Sequence, residues 1–441
     1  MTVRITTDRI ADLEAPLLAA HQADLGALRA RLAREEPHVD ADAVIAEVAR
    51  FSVAAPSWAL GTGGTRFGRF PRGGEPRTTE EKVDDVAALH ALTGANRTVS
   101  LHVPWDDPAD PGALREHAEA AGIGFDAMNS NTFQDNPSTT GDGHGSYKFG
   151  SLANADADVR KLAIEHNHQV VDLGVQLGSK ALTVWLADGT NHPGQADFRR
   201  QFERVADGLA EVYAHLPEDW QLFTEHKPFE PAFYSSVNND WGSSLLLAQA
   251  TGERARCLVD LGHHLPNANV EQVVSRLAMV GKLGGFHFND SAYGDDDLTV
   301  GSINPYRFFL IVLELVAHGT RLSGGERGTP AMPDVAYMID ASHNLKDPIE
   351  DLIQATDQIQ LTIAQALLLD HEALLEAQDA NDPARAAEVL QRAYRTDVRP
   401  LVAEARRAGG AALAPLEAFR ALGYRRAVTD ERGTTTQATG L

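Results

Sequence analysis

Residues 255–264 read ARCLVDLGHH, an apolar run closed by Asp260 with His263 three positions on. Three other stretches repeat the pattern: QLFTEHK (221–227), GGFHFNDSAYGDDD (284–297) and AYMIDASH (336–343). Each run has the length of a buried parallel strand, and each closes on a carboxylate or an imidazole. Strands that deliver such residues at one common end build a site on the C-terminal face of a closed barrel.

Four earlier runs complete the count. FSVAA (51–55), TVSLHVP (98–104), IGFDAMN (123–129) and ALTVWLA (181–187) bring the strand candidates to eight. Amphipathic helical patterns lie between most of them, as over 158–177, 197–215 and 270–280. Strand and helix in alternation imply parallel pairing with right-handed crossovers. The expected fold is α/β, a (β/α)8 TIM barrel over 51–350 that carries the metal site. An N-terminal helical segment (1–50) precedes it, with Asp40 as a helix cap. A C-terminal helical extension (351–428) and a disordered tail (429–441) follow. Two glycine-rich stretches, 61–78 and 130–150, are long for a compact domain and read as lids, binding loops or subunit contacts, or as mobile surface excursions.

Composition narrows the function. The chain has 441 residues, 43% hydrophobic, and a formal net charge of −23. Such a surface repels phosphate backbones, and no basic patch offsets it, so a nucleic-acid partner is not expected. A neutral small molecule meets no such barrier. The one cysteine, Cys257, lies in an apolar run and reads as core. A chain without a disulfide, a signal-like N-terminus or a membrane-length apolar run is expected in the cytoplasm.

The clusters can hold metal. Glu225 and Lys227 are two apart on a strand and face the same side. If that side is the barrel interior, the carboxylate binds a cation and the ammonium meets the same substrate; otherwise they are an ion pair at a strand end. Asp260 and His263 can reach one divalent ion, or serve as a helix cap and an exposed histidine. Asp295 and Asp297 form D-x-D beyond His287 and can chelate a second ion, or be a solvated acidic loop; the run repels itself without a cation. Asp340 closes an apolar strand and is costly to bury unpaired. Together they supply two sites sharing a carboxylate. His102, closing strand two in SLHVPWD, is an acid/base candidate or a hydrogen-bonded core histidine. Trp58, Phe133 and Trp185 fall at or beyond strand ends and can wall a sugar-sized pocket, or be plain core.

The segments TEHKPFEP (224–231), VDLGHHLP (259–266), GGFHFNDSAYGDDDL (284–298) and MIDASHNLKDPIEDLI (338–353) resemble L-rhamnose isomerase. The match is to the bacterial type of broad aldose range, a relative of xylose isomerase, over about residues 8–425. The resemblance implies a tetramer of (β/α)8 barrels that interconverts L-rhamnose and L-rhamnulose, and other aldoses such as D-allose. It implies two divalent ions: Mn²⁺ foremost, which suits the oxygen-rich ligand set, with Co²⁺ or Mg²⁺ as alternatives. By motif, Glu225, Asp260, His287 and Asp340 would hold the first ion. His263, Asp295 and Asp297 would hold the second, with Asp260 bridging. Lys227 would bond a substrate oxygen near C1, and His102 would open or orient the ring. Water near Asp297 would carry the hydroxyl proton. Phe67 and Phe70, in the 61–78 loop, are candidates to cover a neighbouring subunit's pocket. The stretch 320–334 is longer than the resemblance leads one to expect and should lie at the N-terminal face of the barrel. Isomerisation of another aldose is the alternative, with a metal-dependent hydrolase on the same barrel behind it.

Overall fold

A computed structural model describes residues 5–61, 70, 72–135, 145–230, 235–325, 328–341 and 345–434. Its strands are β1 (Ala55–Pro56), β2 (Thr98–Ser100), β3 (His102–Val103), β4 (Gly124–Phe125), β5 (Met128–Ser130), β6 (Ala181–Trp185), β7 (Gln221–Glu225), β8 (Ala255–Asp260), β9 (Leu283–Phe288) and β10 (Ala336–Ile339). β2 and β3 are one barrel strand broken at Leu101, and β4 and β5 one broken at Asp126 and Ala127. The eight apolar runs therefore fill eight barrel positions. All named pairings are parallel. One sheet runs β10-β9-β8-β7-β6-β5-β3 and the other β1-β2-β4. A parallel bridge from Ala54 to Met338 brings β1 beside β10 and closes the ring.

Alternation along the strands explains what fills the barrel. Ala127, Ala181, Phe223 and Leu258 form a small apolar cluster with Ala336, separate from the main core. Two residues on from Phe223 and Leu258, on the same face, stand Glu225 and Asp260. His287 lies in register with Asp260 on one side and Met338 on the other. The interior is thus plugged by small and apolar side chains below and lined by carboxylates and an imidazole above. The opposite strand faces, with Val184, Leu222, Val259, Phe286 and Ile339, pack on the surrounding helices in the main core.

The helices begin where capping residues allow. Asp156 caps Ala157–Leu177, Asp197 caps Phe198–His215 and Asn269 caps Val270–Met279, each side chain accepting a backbone N–H of the first turn. The N-terminal segment is Thr7–Glu14, Leu18–Glu35 and Ala41–Arg50. Asp40 caps the last of these, as expected. The longer-than-expected stretch docks on that helix: Met332 N donates to Glu47 Oε1 at 2.7 Å, ahead of β10 and so at the strands' N-terminal end. Helix Pro348–Leu367 continues the alternation after β10, and His371–Asp379, Pro383–Arg395, Arg399–Ala408, Pro415–Leu422 and Tyr424–Arg432 follow. The start of the expected disordered tail needs correcting. Residues 429–432 are the last turn of a helix, because Val428 and Arg432 are buried and Arg432 pairs with Asp85 at 2.9 Å. Residues 435–441 lie outside the described residues. No described helix is long and apolar enough to cross a membrane.

Candidate metal centre

At the C-terminal ends of β7 to β10 two ligand groups meet. Glu225, Asp260, His287 and Asp340 form one, and Asp260, His263 and Asp295 the other; within each, the ligand atoms lie within 4.8 Å of one another. Asp260 belongs to both. His287 Nδ1 is 3.1 Å from Glu225 Oε1, 3.4 Å from Asp340 Oδ2 and 3.7 Å from Asp260 Oδ2. His263 spans the groups, with Nδ1 3.2 Å from Glu225 Oε1 and Nε2 3.2 Å from Asp295 Oδ2.

Asp260 shows that the site suits a cation. Its Oδ1 accepts from Gly262 N at 2.7 Å and Asn289 Nδ2 at 2.9 Å. Its Oδ2 is buried and makes no hydrogen bond. A carboxylate oxygen fixed by its twin and left bare in the interior calls for a metal or a proton. The titration of the neighbours agrees. Burial pushes Asp260 up, and Asp295 and Asp340 add to that. Burial would push His287 and His263 down, yet the carboxylates around them hold both well above the usual imidazole value. Glu225 goes the other way, its burial outweighed by His287 and His263, and sits well below the usual range. The acidic shell thus draws in positive charge, which divalent ions supply. Oxygen donors with some imidazole suit Mn²⁺, Co²⁺ or Mg²⁺.

A ring of flat side chains borders the groups. His102 stacks on Trp105 with centroids 4.2 Å apart and meets Trp58 and Phe133 edge-on at 5.6 and 5.7 Å. Phe133 meets Trp185 at 4.5 Å, and Lys227 Nζ lies 5.1 Å over the Trp185 ring. Lys227 is 3% exposed and reaches Asp295 at 2.7 Å and Glu230 at 3.1 Å. Trp58 ties the ring to the metal groups by donating Nε1 to Asp340 Oδ1 at 2.9 Å. Burial lowers the His102 imidazole to about 4, against the pull of Asp106 and Asp340, so it is neutral near pH 7.

The family model for the xylose isomerase-like TIM barrel matches residues 91–320. The chain belongs to the xylose isomerase-like TIM barrel family. A probable sugar isomerase of Rhizobium meliloti is 52% identical over 432 residues, covering 98% of this chain and 97% of that one. Another from Mesorhizobium japonicum is 55% identical over 399 residues, 90% of each chain. The xylose isomerase of Thermus thermophilus is 24% identical over 284 residues, 59% of this chain and 68% of that protein.

Within this family member, the structure gathers most of the residues singled out from sequence. Glu225, Asp260, His263, His287, Asp295 and Asp340 converge, and Trp58, His102, Phe133, Trp185 and Lys227 stand beside them. Asp297 is buried, with φ 48°, and lies outside both groups. Phe67, Ser342 and His343 lie outside the described residues. Phe70 is 67% exposed. His264 packs edge-on to His226 at 4.8 Å. Sequence reasoning assigned no role to Trp105, Asn289 or Asp106. Trp105 lies within the quoted SLHVPWD, where an aromatic three past His102 was the available signal. Asp106 accepts from His102 N at 2.8 Å and also from Ser57 and Lys82, which fixes the strand end below the imidazole.

Proposed function

We propose that this protein is a metal-dependent aldose–ketose isomerase whose preferred substrate is L-rhamnose, with other aldoses such as D-allose also accepted. The observation that carries the reading is the pair of ligand groups sharing Asp260, set against an aromatic wall with a buried lysine between them. A neutral, hydroxyl-rich substrate suits that combination. Flat rings cover the C–H face of a sugar, and fixed polar groups at one end orient its oxygens.

The ions, Mn²⁺ by preference, supply Lewis acidity toward vicinal sugar oxygens when bound. Glu225, Asp260, His287 and Asp340 hold the first, and His263 and Asp295 with Asp260 hold the second. Asp297 adds a carboxylate beside the second group and takes the hydroxyl proton through water. Lys227 donates to the oxygen near C1, its charge balanced by Asp295 and Glu230. His102, neutral, hydrogen-bonds the ring oxygen end and guides opening. Trp58, Trp105, Phe133 and Trp185 exclude water from the C1–C2 bond. Assembly as a homotetramer is part of the reading, supported by exposed apolar side chains on strand-end loops, Phe70, Phe149, Phe229 and Tyr293.

The test is isomerisation by metal-stripped protein, with and without Mn²⁺, on L-rhamnose, L-mannose, D-allose and D-xylose. Activity that returns with metal and is greatest on L-rhamnose is the expected result. Metal-dependent turnover that favours another sugar would replace the substrate. Bound metal with silence on every sugar would overturn the reading, and light scattering decides the tetramer.

A further inference from the structure

We propose that the last helix, Tyr424–Arg432, is a working part of the metal centre, with Arg425 as a positioning residue for Asp340. Among the described residues, the barrel join with the fewest paired residues lies between β1 and β10. β7 and β6 share five register pairs, from Ala181–Gln221 to Trp185–Glu225, and β9 and β10 share four. Among the described residues, β1 meets β10 through the bridge Ala54–Met338, with hydrogen bonds Ala54 N to Tyr337 O and Ile339 N to Ala54 O. Asp340 leaves β10 just past this seam, and its hydrogen-bond donor, Trp58, leaves β1 just past it on the other side. The position of this ligand therefore depends on how the two flanking segments are held.

One guanidinium holds both. Arg425 binds Asp347 in a two-pronged ion pair, Nε to Oδ2 at 2.5 Å and Nη2 to Oδ1 at 2.9 Å. Its Nη1 donates to the carbonyls of Gly74 at 3.1 Å and Gly73 at 3.4 Å. Asp347 belongs to the segment that follows Asp340, and Gly73–Gly74 to the segment that follows Trp58. Arg432, seven residues on and on the same face of the helix, also donates to Gly74 O at 3.0 Å and anchors on Asp85. Gly74 N donates to Gly433 O at 2.9 Å. Arg72 closes the triangle by donating to Leu345 O. A planar fork makes these bonds in fixed directions, which an ammonium on a flexible stem cannot reproduce. The C-terminal helix thus buckles the seam from outside, while Trp58 and Asp340 join it from inside.

This inference rests on Asp340 as a metal ligand, and the experiment separates the two ideas. Mn²⁺ binding is measured by calorimetry well below the Tm of each variant. An Asp295→Asn background reads the first group alone, and an Asp340→Asn background reads the second. Arg425→Met is expected to weaken the first group about tenfold, in the range known for outer partners of ligands, and to leave the second unchanged. Arg425→Lys is expected not to restore it. Asp347→Asn tests the same clasp with the helix cap kept, since asparagine caps as well as aspartate. Arg420→Met, which breaks a side-chain pair with Glu350 and removes no bond made by Arg425, is the control and is expected to be silent. Unchanged first-group affinity in both Arg425→Met and Asp347→Asn would overturn the clasp, as would equal weakening of both groups. Full first-group affinity in Asp340→Asn would overturn the ligand assignment beneath it.

Discussion

The indole of Trp58 hydrogen-bonds the carboxylate of Asp340 at 2.9 Å across 282 residues of sequence. One side chain walls the proposed sugar pocket and the other belongs to the first ligand group, so the bond couples substrate shape to metal position. Trp58→Phe keeps the ring and removes the donor. The expected outcome is a fall of about tenfold in first-group Mn²⁺ affinity, as for other second partners of a ligand. Calorimetric titration in the Asp295→Asn background checks it, and unchanged affinity would show that the bond merely packs the indole.

Gly262 owes its place to proximity. A Cβ there would stand 2.6 Å from Asp295 Oδ1 and 3.3 Å from Asp260 Oδ1. Gly262→Ala must therefore displace Asp295 or the turn that carries His263. Selective loss of one metal equivalent per chain is expected, with the first group retained. Elemental analysis after gel filtration reads this directly, and two retained equivalents would refute it.

Removal of metal should soften the protein. The groups crowd Glu225, Asp260, Asp295 and Asp340 around two imidazoles and Lys227, and a bound cation relieves that repulsion. Saturation at a hundred times Kd adds ~2.7 kcal/mol per site. A chelator should lower the Tm of wild type by several degrees and leave Asp260→Asn nearly unmoved, because Asp260 serves both groups. Equal sensitivity of the two proteins in a thermal melt would count against the shared carboxylate.

His102 gives the pH dependence a sign. Its folded value is about 4, below the ordinary 6.5, so the folded state favours the neutral ring. The stability this carries is fully present above pH 6.5 and is lost as pH falls toward 4. At 1.36 kcal/mol per unit the full swing is roughly 3 kcal/mol. Urea unfolding at pH 7 and pH 4 should show wild type losing roughly that much more than His102→Phe. Parallel losses would mean that the imidazole is already charged in the fold.

The barrel and most of the candidate ligand set are legible in the sequence because both follow from local pattern. An apolar run closed by Asp260 or Asp340 announces a strand and its tip together, and period-two alternation places Glu225 and Lys227 on one face. Asn289 was visible in the same motif, but its bond to Asp260 depends on how β8 and β9 sit side by side. Trp105 stacks on His102 because the chain turns just after β3, which no periodicity reports. Arg432 was assigned to a disordered tail since its polar neighbourhood carries no apolar signal; its partner Asp85 lies 347 residues away. Contacts of that range are set by the assembled fold, and short windows of sequence do not contain them.

The seam between β1 and β10 also fixes when the metal centre can come into being. A chain leaves the ribosome N-terminus first. Trp58 emerges early, Glu225, Asp260 and His287 follow in turn, and Asp340 emerges only after most of the barrel. The helix that buckles the seam is later still. Asp260, His263 and Asp295 thus precede Asp340 out of the ribosome, and the first group stays one carboxylate short until β10 has emerged.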